Sequence, residues 1–101
     1  MKRALLVAAL GLAAAAPALA DLALATSKNC MSCHAVDRKI LGPSFKEVAA
    51  KYKDNKGAAD MLAAKIVKGG SGVWGAVPMP ANPQVNEAEA KQLVQWILST
   101  K

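Results

Sequence analysis

The chain is sparing with the residues that build metal and redox sites: its 101 residues include one histidine and two cysteines, and aromatics make up only 4%. That scarcity excludes most such sites before any pattern is considered. A structural zinc ion usually takes four Cys or His ligands, and the chain does not have them. No stretch alternates apolar and polar residues as a strand does, so a thioredoxin-like dithiol, which belongs at a strand end in a βαβ unit, lacks its setting. Beyond the first twenty residues no long apolar run occurs, and stable membrane insertion is not expected. Acidic residues are few, 7 against 13 basic. Yet Lys28, Lys39, Lys51, Lys53, Lys65 and Lys68 are dispersed and lack interleaved aromatics, so nucleic acid is not an expected partner.

What is present is concentrated. Both cysteines and the histidine fall in one run, Cys30-Met31-Ser32-Cys33-His34. C-x-x-C-H is the spacing of covalent c-type haem attachment. Two thiols at that separation can add across the two vinyl groups of the porphyrin, and His34, the next residue, is delivered beneath the iron as the proximal ligand. One haem c per chain, bound through Cys30 and Cys33, is the expectation; a structural disulfide between the two is the plainer alternative.

The amino terminus reads as a cleaved secretory signal over residues 1–20. Met1-Lys2-Arg3 is a basic start, Ala4 to Ala16 an apolar run, and Ala18-Leu19-Ala20 an A-x-A cleavage site. The working chain then begins at Asp21, and residues 21–101 form one haem-binding domain exported to the periplasm. With Lys2 and Arg3 removed, 11 basic residues face 7 acidic ones. A domain this small has a marginal apolar core of its own. Buried haem would fill it, so the apo chain is expected to fold poorly.

Helical periodicity recurs along the domain. A short helix capped by Asp21 is expected to run to about Cys30, followed by a loop from Ala35 to Pro43. Ser44 and Glu47 have capping-box spacing, and Phe45, Val48, Ala49 and Tyr52 share one face of a helix from Phe45 to Lys53. Asp54 to Gly57 is a polar turn. Ala58, Met61, Leu62, Lys65 and Ile66 mark a further helix that Gly69-Gly70 stops. Ser71 to Val85, broken by glycine and proline, is a long functional loop. Asn86 and Glu89 cap the last helix, along which Ala90, Leu93, Val94 and Ile97 repeat. The expected fold is all-α: four short helices around one cofactor.

A haem iron held by His34 has a sixth position to fill. Met1 leaves with the signal, Met31 sits between the cysteines, and Met61 fits an apolar helix face. Met79 lies between Pro78 and Pro80 in an irregular segment, where two locked φ angles reduce the entropy lost in holding a sulfur at a metal. It is the candidate sixth ligand.

Taken together, Cys30 to His34, Gly42-Pro43, Gly72-Val73-Trp74-Gly75, and Pro78-Met79-Pro80 with Asn82 resemble the small bacterial class I cytochromes c. The resemblance implies the cytochrome c fold, His34 and Met79 as axial ligands, and no enzymatic activity. It further implies that the Pro43 carbonyl accepts a hydrogen bond from the His34 ring, that Trp74 donates its indole N–H to a propionate, and that Asn82 bonds near the Met79 sulfur. Plainer readings are core packing for Trp74 and a turn residue before Pro83 for Asn82; Trp96 reads as packing in the last helix. One departure is the first helix, which in that family often carries an aromatic but here offers Leu22, Leu24 and Ala25. The implied function is a periplasmic, monomeric electron carrier. It would take electrons from a membrane cytochrome complex and pass them to a nitrite reductase or cytochrome oxidase, with Lys28, Lys39 and Lys68 steering it to acidic surfaces. A peroxidase or gas-binding protein would instead need the sixth position open.

Overall fold

The computed structural model describes residues 16–101, and most of the expected signal, residues 1–15, lies outside the described residues. Four helices follow one another: α1 (Ala16–Ser27), α2 (Phe45–Tyr52), α3 (Ala58–Lys68) and α4 (Glu87–Leu98), with a 3-10 turn at Cys30–Ser32 between the first two. The all-α expectation holds. Extended pairing among the described residues is confined to two isolated bridges, His34 with Lys39 and Gly70 with Met79.

The first helix differs from expectation at both ends. It is already helical upstream of Asp21, because Ala and Leu on either side of that residue are strong helix formers. Asp21 is therefore not a cap; its carboxylate accepts a hydrogen bond from Gln92 Nε2 at 2.9 Å and ties α1 to α4. The helix also stops before Cys30. Asn29 takes a left-handed conformation, φ 70°, which asparagine tolerates better than most residues.

The other helices begin and end close to where their signals place them. Ser44 Oγ accepts from the Glu47 N–H at 3.1 Å, which is half of the expected box. At α4 the box is complete: Asn86 Oδ1 accepts from the Glu89 N–H at 2.8 Å, and Glu89 Oε1 accepts from the Asn86 N–H at 3.0 Å. Gly69 closes α3 with its N–H on the Lys65 carbonyl at 2.8 Å. Within α3, Met61 is turned outward, 37% exposed, and not on the apolar face expected for it; Ala63 and Ile66 hold that face.

Helix α4 is the axis of the packing, touching α1, α2 and α3. Its Ala90, Leu93 and Val94 join Ala25 of α1, Ala63 and Ile66 of α3 and Val85 in one buried cluster. The contact between first and last helices thus rests on small aliphatic groups, Ala25 among them. A second cluster, Val48, Tyr52 and Ala58, lies beside it and shares Leu62 and Leu98 with the first.

Candidate functional site

The helices do not close on one another completely. They leave an apolar cavity of about 360 Å³ whose walls come from every element: Ala25 of α1, Phe45 and Val48 of α2, Leu62 and Ile66 of α3, and Leu93, Val94 and Ile97 of α4. Cys30, Cys33 and His34 line it from one segment, Pro78-Met79-Pro80 from another, and Lys65 is the only charged residue among those described that reaches it. Leu41, Val73, Trp74 and Val77 also line it and are exposed, which places them at its mouth.

The histidine wall is built by the tight turn after Asn29. The N–H groups of Cys33 and His34 both donate to the Cys30 carbonyl, at 3.2 and 3.1 Å, and Ser32 Oγ donates to Asn29 Oδ1 at 2.6 Å. The following loop folds back, with the Gly42 N–H on the Cys33 carbonyl at 2.8 Å. This return brings the Pro43 carbonyl within 2.7 Å of His34 Nδ1. A carbonyl can only accept, so Nδ1 carries the proton and Nε2 keeps its lone pair for a metal. Phe45 stacks on the imidazole at 5.1 Å between centroids, and Trp96 meets Phe45 edge-on at 5.4 Å. Trp96 is thus packing, as its place in the last helix suggests. Burial pushes the Cys30 thiol above its ordinary pKa, opposed by a backbone hydrogen bond and assisted by the neighbouring Cys33.

The methionine wall is held by backbone. Gly70 and Met79 exchange both hydrogen bonds, N–H to carbonyl, at 3.0 and 2.8 Å. Asn82 lies just beyond: its N–H reaches the Ile66 and Val67 carbonyls, and its Nδ2 donates to the Ile66 carbonyl at 2.9 Å and to the Pro80 carbonyl at 3.2 Å. Both Nδ2 hydrogens are thereby engaged. The hydrogen bonds of Asn82 anchor the segment after Met79 to the end of α3. Gln84 Nε2 completes the arrangement by donating to Asn82 Oδ1 and to the Lys28 carbonyl, each at 3.0 Å.

Of the methionines among the described residues, Met79 alone lines the cavity; Met31 packs against the main core and Met61 faces outward. Trp74 stands at the mouth, 38% exposed, with Lys51 Nζ 5.6 Å from its ring centroid and 5.8 Å from that of Tyr52. Lys28, expected to steer partners, is instead engaged: its Nζ lies 3.4 Å from Glu89 Oε2 and donates to the Gln84 carbonyl at 3.0 Å.

Three residues of the site carry no distinguishing sequence signal. Lys65 reads as one more polar step of a helix, yet its stem passes over Gly70 into the cavity. Gly42 reads as loop punctuation, yet a Cβ built there would fall 2.5 Å from His34 Cε1. Gly69 reads as a helix stop, yet it lies against the backbone of the Met79 segment.

The donor set is what a covalently held haem requires. Apolar walls, two thiols, an imidazole with a free Nε2 and a thioether converge on one cavity, and they fit that group better than a hydrated ion or a polar substrate.

A family model for cytochrome c matches residues 17–101. Cytochrome c-552 of Hydrogenobacter thermophilus is 57% identical over the full length of both chains. Cytochrome c-551 of Azotobacter vinelandii is 61% identical over 74% of this chain and 90% of its own. The crystal structure of Nitrosomonas europaea cytochrome c552 superposes with a TM-score of 0.78 at 51% identity, covering 79% of this chain and 99% of that one.

Proposed function

Because this chain belongs to the cytochrome c family and carries one haem c, we propose that it is a periplasmic, monomeric electron carrier in which His34 and Met79 occupy the two axial positions of the iron. The observation that carries the reading is the convergence of the free Nε2 side of His34 and the Met79 side chain on one apolar cavity. The bound haem supplies a one-electron ferric–ferrous couple, whose potential a methionine ligand raises. Everything else is the work of the chain. Cys30 and Cys33 hold the group by two bonds, Pro43 fixes the imidazole plane and proton, and the apolar walls keep water from the metal. Lys65 by its charge and Trp74 by its indole N–H would meet the carboxylates of the propionates.

A site with both axial positions supplied by the protein has no place for a substrate, which favours carrier over peroxidase or gas-binding protein. The exposed apolar residues Leu41, Val73 and Val77 at the mouth suit brief contact with a redox partner. A membrane cytochrome complex as donor and a nitrite reductase or cytochrome oxidase as acceptor complete the proposal. Lys39 and Lys68, both on the surface, remain its steering charges; Lys28 does not.

The ferric absorption spectrum tests it. Wild type should show the weak far-red sulfur-to-iron band, and Met79→Ala should lose it, drop in potential and gain peroxidase activity. An undiminished band in Met79→Ala would remove the ligand assignment and the preference for a carrier with it.

A further inference from the structure

We infer that Gly69 is a positioning residue for the sixth ligand: the missing side chain of Gly69 lets the end of α3 lie flat against the backbone of Met79 and aim its thioether into the cavity. The inference rests on the proposed ligation by Met79. Two observations carry it. Gly69 has φ +81°, and a Cβ built on it would stand 2.7 Å from the Met79 carbonyl oxygen, 2.9 Å from the Ala81 nitrogen and 3.1 Å from the Pro80 carbonyl carbon. All three are backbone atoms of the ligand-bearing segment and cannot be rotated aside. The adjacent Gly70 makes the two-way bridge to Met79, so the segment approaches α3 to hydrogen-bonding distance at the very point where Gly69 has nothing to put in its way.

The neighbouring glycines separate this role from loop flexibility in general. A Cβ on Gly70 would meet only the Lys65 side chain, at 3.7 to 3.9 Å, an ordinary contact. Gly75 has φ +117° but nothing within 4 Å. Alanine at Gly75 therefore introduces backbone strain without touching the ligand segment. Alanine at Gly69 introduces strain and collision together.

Imidazole titration of the ferric holoprotein reads how firmly the internal sixth ligand is held, because an external ligand must displace it. Gly69→Ala should raise the apparent imidazole affinity by roughly tenfold or more, equivalent to about 1.4 kcal/mol of lost retention, and should weaken the far-red band. Gly75→Ala should stay near wild type in both, even where it lowers the denaturation midpoint. Met79→Ala separates the ligand assignment from the role of Gly69. If it leaves imidazole affinity at the wild-type value, Met79 is not the ligand and the inference falls with that reading. If it raises the affinity while Gly69→Ala does not, or while Gly75→Ala matches Gly69→Ala, the ligand stands and the role of Gly69 is overturned.

Amide exchange in the unmutated holoprotein tests the same contact should Gly69→Ala fail to fold. Coupling between two equilibria is reciprocal, so saturation with imidazole should speed exchange of the Gly70 and Met79 amides together. Unchanged protection of both amides would overturn the inference.

Discussion

Replacing Gly42 with alanine adds one methyl group where the structure has no room for it. The new Cβ would stand 2.5 Å from His34 Cε1, 2.9 Å from Nδ1 and 3.1 Å from Nε2. Carbon atoms rest at about 3.5 Å or more, so the imidazole must retreat by about 1 Å. It is not free to do so. Its Nδ1 is tethered 2.7 Å from the Pro43 carbonyl, and the ring is stacked on Phe45, which is itself 3% exposed and edge-on to Trp96. A shift of that size carries the hydrogen bond past the limit of roughly 3.2 Å. Overpacking costs about 1–3 kcal/mol and the lost bond about 1 kcal/mol net, so the loss of stability should be about 2–4 kcal/mol. In guanidinium chloride the unfolding midpoint of the holoprotein should fall by on the order of 1 M. The potential should move as well: an imidazole that no longer donates from Nδ1 is a weaker base toward iron, ferric iron is less well stabilised, and the midpoint potential rises. That is opposite to the change expected on losing Met79. A Gly42→Ala protein with stability within about 0.5 kcal/mol of wild type and an unshifted potential would show that the ring is not confined as described.

Two further outcomes follow from burial and capping. Leu93 is 1% exposed at the centre of the main core and also lines the cavity; Leu93→Ala should cost about 2–5 kcal/mol in denaturant unfolding of the holoprotein. Glu89 is held below the ordinary carboxylate pKa, first by the Asn86 backbone N–H and then by Lys28. A lowered folded pKa means that its stabilising contribution is fully present above the usual carboxylate range and is lost as pH falls through the folded value. Wild type should therefore be more stable than Glu89→Gln near neutrality and lose that advantage in acid; an advantage that persists at the acid end would contradict the assignment.

Local signals mark out the helices α2 to α4 because they depend on neighbours in sequence: Asn86 finds Glu89 three residues on, and Gly69 closes the helix that Ile66 belongs to. The first helix is less legible. Asp21 looks like a cap, but the Ala and Leu residues before it prolong the helix, and Asp21 is left to bond Gln92 on α4, a partner no local pattern announces. The chemistry of the site is legible where it resides in a short run, Cys30 to His34, or in an unusual setting, Pro78-Met79-Pro80. What is not legible is the fitting of backbone against side chain across long separations. Pro43 announces through the family resemblance that the His34 ring bonds this segment, but nothing there says how tightly the ring presses on Gly42. Nothing near Asn82 says that the end of α3 will take one of its amide hydrogens. Likewise Lys28 reads as a free surface cation until α4 brings Glu89 beside it.

The junction of α1 with α4 bears on how the molecule comes into being. Ala25, four residues before Asn29 and the turn that bears the cysteines, is buried among Ala90, Leu93 and Val94 near the other end of the chain. A polypeptide emerging amino end first presents Cys30, Cys33 and His34 long before α4 exists to cover Ala25. During that interval the two thiols lie on an open chain in water. In the folded chain burial makes the Cys30 thiol harder to ionise, and the thiolate is the reactive form of cysteine. Topology thus leaves both thiols within reach of a reagent until the last helix closes over the compartment they line.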